Sequence, residues 1–475
     1  MWSTGGDPAA HDVEAQVRAA LDPAAARRAR DHIARILRDA GVTFEGSPLG
    51  VSLFPTVLAE AEVDQMARAG RTIRAVLCRL IAAFRAEHRA GDRAGLLHGL
   101  FAPYERWWDA IAAERRRLPE IGLMRLDCAG HPGSWRVLET NTACPGGTTV
   151  CASARRAWLA CELAAPVRAR YRLREYPLDD EGQFVAHLAR TASALASPGA
   201  AGPPGIAILT DRGSLSFEIE LWREQFERLR SAGAVDGPLV VGDVREVEVD
   251  GEVARVRGTP VALIHNKLNP IDLDPSERAL AGWLAASRLP GAELLNSLGA
   301  LYLTEAKRVL ACVRAPAVQD RLDLDAAERE TIARWIPATE VIAERIPAGT
   351  PGAWTDAESV VRRRPALVIK PDALSRGEGV HLGRASTDED WRRRVADTVA
   401  RAGVAQEEVA LARASAIDLD AAGQIVWGEE HLGVEIYYVG SELAGLSSRA
   451  SRLPVCNVGA GGRLRPVLVL AGGAA

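Results

Sequence analysis

The 475-residue chain predicts a mixed α/β (α+β) protein. Three observations carry that expectation. An early region holds alanine, leucine and arginine at helical spacing. A middle stretch alternates short apolar strands with amphipathic helix, and a C-terminal run of short strands is punctuated by glycine. With 48% hydrophobic and 25% charged residues the composition is that of a globular chain, long enough for about two to four packed units.

Residues 1–118 are expected to be mostly helical, interrupted by an extended segment at "GVSLFPTVL", where Pro55 cannot occupy a helix interior. Residues 119–200 open with a hairpin, "IGLMRLDC" and "WRVLETN" around the turn cluster "AGHPGS". A helix follows, with Thr148 or Thr149 as its N-cap. The stretch "SPGAAGPPG" at 197–205 is a linker. Residues 201–291 then read as an α/β unit with a parallel sheet: strands "IAILTD", "PLVVGD" and "VALIHNKL", with an amphipathic helix after the first. Residues 292–475 begin with a short strand, a turn and a helix carrying Lys307. A buried strand ends at Lys370, and the late strands "EEVALARAS", "QIVWGEE", "GVEIYYVG", "ELAGLSSRAS" and "RPVLVLAG" suggest a curved antiparallel sheet.

The formal net charge of −4 supplies no basic field, so nucleic acid is not an expected partner. No run of about 18 apolar residues appears and the N-terminus lacks a secretory pattern, so no membrane association and a cytoplasmic location are expected. Seven scattered cysteines with no CxxC pair read as reduced thiols, not a disulfide or zinc framework.

Only three of the 58 basic residues are lysines, Lys267, Lys307 and Lys370. A site needing a compact ammonium against a nucleotide phosphate cannot accept the wide, planar arginine fork. Lys370 runs into "SRGEGV", where Gly377 and Gly379 let backbone N–H groups approach phosphate oxygens and Ser375 and Arg376 add donors. Neither a Walker loop nor a dinucleotide turn is spelled out. In the hairpin, strand alternation puts Arg125 and Asp127 on one face of the first strand, and Glu139 and Asn141 on one face of the second. Asp127, Glu139 and Asn141 offer only hard oxygen donors, which suit Mg²⁺. Gln406 and Glu407, in "VAQEEVAL", sit on a strand edge able to pair with an adenine ring, and Arg449 and Asn457 lie on or between late strands, in positions able to face the same cleft.

Together these segments resemble the ATP-grasp ligases, in particular the circularly permuted branch that includes glutathionylspermidine synthase and related peptide or amide ligases. The resemblance rests on "RLD", a spacing of twelve from Asp127 to Glu139, "LETN", a lysine after "LLNSLG", "VIKPDALSRGEGV" and "QEE", and it covers roughly 120–165 and 292–475. It implies an ATP-grasp fold with a preceding α/β unit and a helical N-terminal region. It also implies metal ligation by Asp127, Glu139 and Asn141 and phosphate contacts from Lys307 and Lys370. Ser375, Arg376, Gly377 and Gly379 would form a mobile covering loop, and Gln406 and Glu407 an adenine hinge. Arg125 would stand near the transferred phosphoryl group and Arg449 near the reacting carboxylate. The implied cofactors are ATP and Mg²⁺, the latter as a pair of ions. The implied partners are a small-molecule acid and amine, amino-acid or peptide-like, with a homodimer left open.

The implied reaction is amide formation through an acyl phosphate, which needs positioning and charge but no protein nucleophile. A non-catalytic ATP-binding regulator and a small-molecule kinase remain alternatives. His265 and Lys267, after a strand end of the parallel sheet, are candidates for substrate recognition. The Pro-Gly-Gly turn after Cys144 leads to a helix start able to bind an acyl phosphate or carboxylate. Residues 1–118 match no family pattern and leave the substrate open.

Overall fold

The structure, a computed structural model, describes residues 8–44, 47–195, 202–214, 218–344, 353–374, 377–458 and 461–471. Most of the linker 197–205 therefore lies outside the described residues, as do Ser375 and Arg376. Among the described residues no helix is long and apolar enough to cross a membrane.

The N-terminal helices Pro8–Ala19 and Pro23–Asp39 precede a 30-residue helix, Glu60–Arg89. Asp22 caps the second by accepting from the Ala25 N–H at 2.7 Å. The long helix forms because Val63, Met66, Ile73, Leu77, Leu80, Ile81 and Phe84 recur at helical spacing and are all buried. Each large apolar side chain so buried contributes about 1.5–3 kcal/mol. Gly70 lies under the Tyr438 ring; a Cβ there would be 1.9 Å from the phenol oxygen, which donates to the Met66 carbonyl at 2.7 Å. The segment after Pro55 is extended, as its proline requires: Thr56–Ala59 pairs in parallel with Val467–Leu470 near the C-terminus.

The expected parallel sheet is present, ordered Glu293–Leu294, Leu263–Asn266, Ile206–Thr210, Leu239–Asp243. A small antiparallel sheet of Val247–Asp250, Val253–Val256 and Thr259–Val261 accompanies it. A five-stranded sheet carries Lys370 at the end of Leu367–Lys370. Its neighbour Val404–Glu407 is an inner strand, hydrogen-bonded to Thr339–Ala343 on the other side, so it is not the free edge expected of it.

The sheet that builds the site is organised around one 15-residue strand, Ile425–Val439. The sequence suggested two strands split at glycine. Gly428 and Gly433 instead continue the ladder, Gly428 opposite Ala416 on one edge and Gly433 opposite Arg449 on the other. Glu442–Ser451 lies along one edge. The other edge is shared: Arg413–Leu419 pairs with its first half, and Leu123–Ala129 of the early hairpin with its second. One face of this junction is apolar, with Met124, Leu126, Val137, Val434 and Ile436 in the main core beside Phe84 and Ile264. The opposite face is polar.

Lys307 also differs from expectation. A π-helical turn, Ala300–Thr304, precedes the helix Arg308–Arg314, and Lys307 occupies the N-cap position instead of the helix interior.

Candidate functional site

The hairpin strands Leu123–Ala129 and Arg136–Asn141 pair so that Arg125 faces Asn141 and Asp127 faces Glu139. The long strand extends the same rows, setting Tyr437 opposite Arg125 and Glu435 opposite Asp127. Three carboxylates, Glu139, Asp127 and Glu435, thus stand side by side across three strands, an arrangement that is repulsive without counter-charge. Two arginines supply it. Arg125 is bidentate to Asp127 at 2.6 and 3.0 Å, and Arg449 reaches Asp127 at 2.6 Å and Glu435 at 2.7 Å. Burial alone would raise the Asp127 pKa; Arg125 and Arg449 outweigh it and hold the carboxyl below its ordinary range. Asn141, which lines the cleft, donates its amide N–H to Asp127 at 3.0 Å. Ser447 and Tyr437 donate to Glu435.

The two lysines flank this row. Lys370 donates to Gln406 Oε1 at 2.7 Å and to the Leu138 carbonyl at 3.1 Å. Burial pushes its pKa down to about 8, partly offset by Glu139 and reinforced by the nearby Lys307. Lys307 lies 3.3 Å from Glu139 and donates to the Leu374 carbonyl. Burial lowers its pKa too, but Glu139, Glu305 and Asp372 outweigh that and keep it above the ordinary value. Lys307 thus pairs with Glu139 directly, and the Lys370 ammonium feels the same carboxylate electrostatically.

Around the glycine loop, Gly377 at φ +74° rests against Val455, and Gly379 at φ +70° leaves no room for a side chain beside Pro371. Gln406 is buried, and both ends of its amide are used internally, by Lys370 and by Thr339 Oγ1 at 3.1 Å. It buttresses Lys370 and does not reach outward as expected. Glu407 is exposed and lines the cleft with Glu408 and Val409.

The Pro-Gly-Gly turn is clamped from several sides. The Gly146 carbonyl accepts from Tyr437 Oη at 2.8 Å and from Arg125 Nη1 at 3.2 Å, and the Gly147 N–H donates to Glu218 at 2.9 Å. Glu218 in turn holds Lys267 at 2.7 Å. Lys267 and His265 are thus 2% and 3% exposed and do not line the cleft, although the residues that follow them, Leu268 to Asp272, do. Thr149 occupies the N-cap of the helix Val150–Leu159 but makes no side-chain cap; its hydroxyl accepts from Trp222 Nε1 at 3.0 Å. Cys144 lines the cleft, and burial pushes its thiol pKa up, which disfavours the thiolate.

One cleft of about 840 Å³ joins these parts. Arg125, Asp127, Glu139, Asn141, Lys370, Gly377, Gln406, Glu407 and Arg449 line it, and Lys307 reaches it through Glu139. Its volume suits a nucleotide with a second ligand. The donor chemistry at Glu139 and the Asn141 carbonyl fits a hard divalent cation. Each Asp127 oxygen already accepts two hydrogen bonds, so ligation there requires an arginine to yield. Among the described residues no group of three His, Cys, Asp or Glu side chains is gathered at metal-binding distance. The sequence reading missed Glu435, Glu305, Glu218 and Asp372. Only the Asp372 signal, an acid two residues beyond Lys370, was local enough to find.

No protein-family model and no curated relative matches the sequence. Among solved structures, a glutathione synthetase-like effector from Globodera pallida, in the apo form, superposes with a TM-score of 0.57 at 12% identity, over 95% of this chain and 98% of that one. A putative γ-glutamylcysteine synthetase from Methylobacillus flagellatus KT gives a TM-score of 0.41 at 12% identity, over 83% and 87% of the two chains. The chain therefore shares its fold, nearly end to end, with the glutathione synthetase-like effector.

Proposed function

We propose that the chain is an ATP-dependent carboxylate–amine ligase that forms an amide or peptide bond through an acyl phosphate, releasing ADP and phosphate. One observation carries this reading: two buried ammonium groups, Lys307 and Lys370, converge on the same hairpin that presents Glu139, Asp127 and Asn141. The likeness in fold to a glutathione synthetase-like protein agrees with it. The carboxylate hairpin precedes the lysines in sequence yet completes their cleft, and on this reading the ATP-grasp module is circularly permuted.

Lys307 and Lys370 hold the nucleotide phosphates as point charges. The backbone at Glu407–Val409 receives the adenine, and the loop around Gly377 and Gly379 covers the triphosphate. Glu139 and the Asn141 carbonyl, with Asp127, would hold magnesium, which neutralises phosphate charge when bound. The acid carboxylate attacks the γ-phosphorus beside Arg125 and Arg449. Their guanidinium groups stabilise the spreading negative charge, and an amine then displaces phosphate from the acyl carbon. The acid and amine are small molecules of amino-acid or peptide type.

The test is release of ADP and phosphate by purified protein with MgATP and paired amino-acid substrates. Product that requires both an acid and an amine supports the proposal; no ADP above background with any pair counts against it.

A further inference from the structure

Building on the ligase reading, we propose that Glu305 is the proton acceptor for the attacking amine, a catalytic residue contributed by the segment between the π-helical turn and Lys307. Its carboxylate lines the same cleft as Arg125, Asn141, Cys144 and Arg449. One oxygen, Oε2, is anchored by two backbone N–H groups, Thr142 at 2.6 Å and Ala143 at 2.7 Å, the two residues that follow Asn141. The other oxygen has no hydrogen-bond partner among the described residues.

Every other carboxylate set into the walls of this cleft is engaged by a cation. Asp127 and Glu435 hold arginines, Glu139 holds Lys307, Asp211 holds Arg245, Glu407 lies near Arg136 and Glu408 holds Arg384. Asp272 and Glu378 are solvent-exposed. Glu305 alone among the described lining carboxylates is half-buried, oriented by fixed donors, and free of an ion pair. Burial pushes its pKa up to about 7, with the Ala143 and Thr142 N–H groups pulling down, Glu139 pushing up and Lys307 opposing it. With one oxygen anchored and the other without a partner, the carboxylate is placed to accept a proton.

The step balances as follows. An alkylammonium substrate gives one proton to the free Glu305 oxygen, and the exposed nitrogen lone pair attacks the acyl carbon. The C–O bond to phosphate then breaks, and phosphate leaves with the second N–H proton as hydrogen phosphate. Glu305 returns its proton to water.

Hydroxylamine separates this role from a structural one, because it is already unprotonated at neutral pH and needs no base. Wild type, Glu305→Gln and Glu305→Asp would be assayed with MgATP and the twenty amino acids, supplied in pairs or each with hydroxylamine. Gln keeps an acceptor for the Thr142 and Ala143 N–H groups. It is expected to lose about 100-fold or more of amine-dependent ADP release while hydroxamate formation stays within about threefold, and Asp is expected to recover part of the amine reaction. Equal losses with both nucleophiles, or no loss with the amine, would overturn the assignment. No hydroxamate from wild type with any acid would overturn the ligase reading and this inference with it.

Discussion

Arg308 and Asp372 form a buried two-point contact, with Nε 2.6 Å from Oδ2 and the Arg308 backbone N–H 2.8 Å from Oδ1. Tyr104 donates to the same carboxylate at 3.0 Å, and the Lys307 N–H donates to the Asp372 carbonyl at 3.1 Å. This pair ties the segment bearing Lys307 to the strand bearing Lys370, and so sets the distance between the two ammonium groups. Asp372→Ala strands a guanidinium that is 2% exposed. The expected cost is about 3–5 kcal/mol in denaturant unfolding, with Asp372→Asn costing less because it keeps a hydrogen-bond acceptor. A loss below about 1 kcal/mol for Asp372→Ala would remove this pair as the link between the lysines.

Asp127 accepts four hydrogen bonds from Arg125, Asn141 and Arg449. Asp127→Asn should cut turnover by about 10²–10³-fold, as loss of one preorganised charged group does, while Glu435 continues to neutralise both arginines and the fold survives. Steady-state kinetics and near-UV circular dichroism check both halves. Wild-type turnover would exclude Asp127 from the chemistry.

Lys370 carries the clearest pH signature. Its pKa falls from 10.5 to about 8 on folding, so between those values the unfolded chain binds more protons than the folded one. Stability of the nucleotide-free protein should therefore rise from pH 8 to 10.5 through this group, and Lys370→Met should flatten that rise. At pH 7 the same substitution should stabilise the free protein by about 1–3 kcal/mol, after allowing for the lost hydrogen bonds to Gln406 and Leu138, while weakening ATP binding. Urea titrations at pH 7 and 9.5 with calorimetric ATP binding test this. A destabilised Lys370→Met at pH 7 would contradict it.

The Lys267–Glu218 pair, both partners almost fully buried, holds the Gly147 N–H and so the Pro-Gly-Gly turn. Lys267→Met alone should cost about 3–5 kcal/mol by leaving Glu218 unpaired, and adding Glu218→Leu should restore most of it. Additive losses in the double variant, measured by thermal unfolding, would mean that the two charges act separately.

The hairpin was legible because alternation along two short strands is local, and Arg125, Asp127, Glu139 and Asn141 do share a face. The lysine count singled out the residues because an arginine-rich chain makes each ammonium informative. Glu435 was not legible: its place beside Asp127 arises from pairing across roughly 300 residues of sequence, which no local pattern encodes. Glu305 was hidden for the same reason, its partners being backbone N–H groups far away in the chain. Lys267 misled because a strand-end loop of a parallel sheet usually meets ligand, whereas here Trp222 and Glu218 enclose the ammonium. Gly433 suggested a turn, but it sits opposite Arg449 within the ladder.

The central claim is that Lys307, Lys370 and the 123–141 hairpin surround a single triphosphate, and a crystal structure with a non-hydrolysable ATP analogue and Mg²⁺ tests it most directly. The account predicts the phosphates within hydrogen-bond reach of both ammonium groups, the cation on Glu139 and Asn141, and the adenine against Glu407–Val409. A nucleotide bound in another cavity, or one that leaves either lysine on its present protein partners, would contradict it.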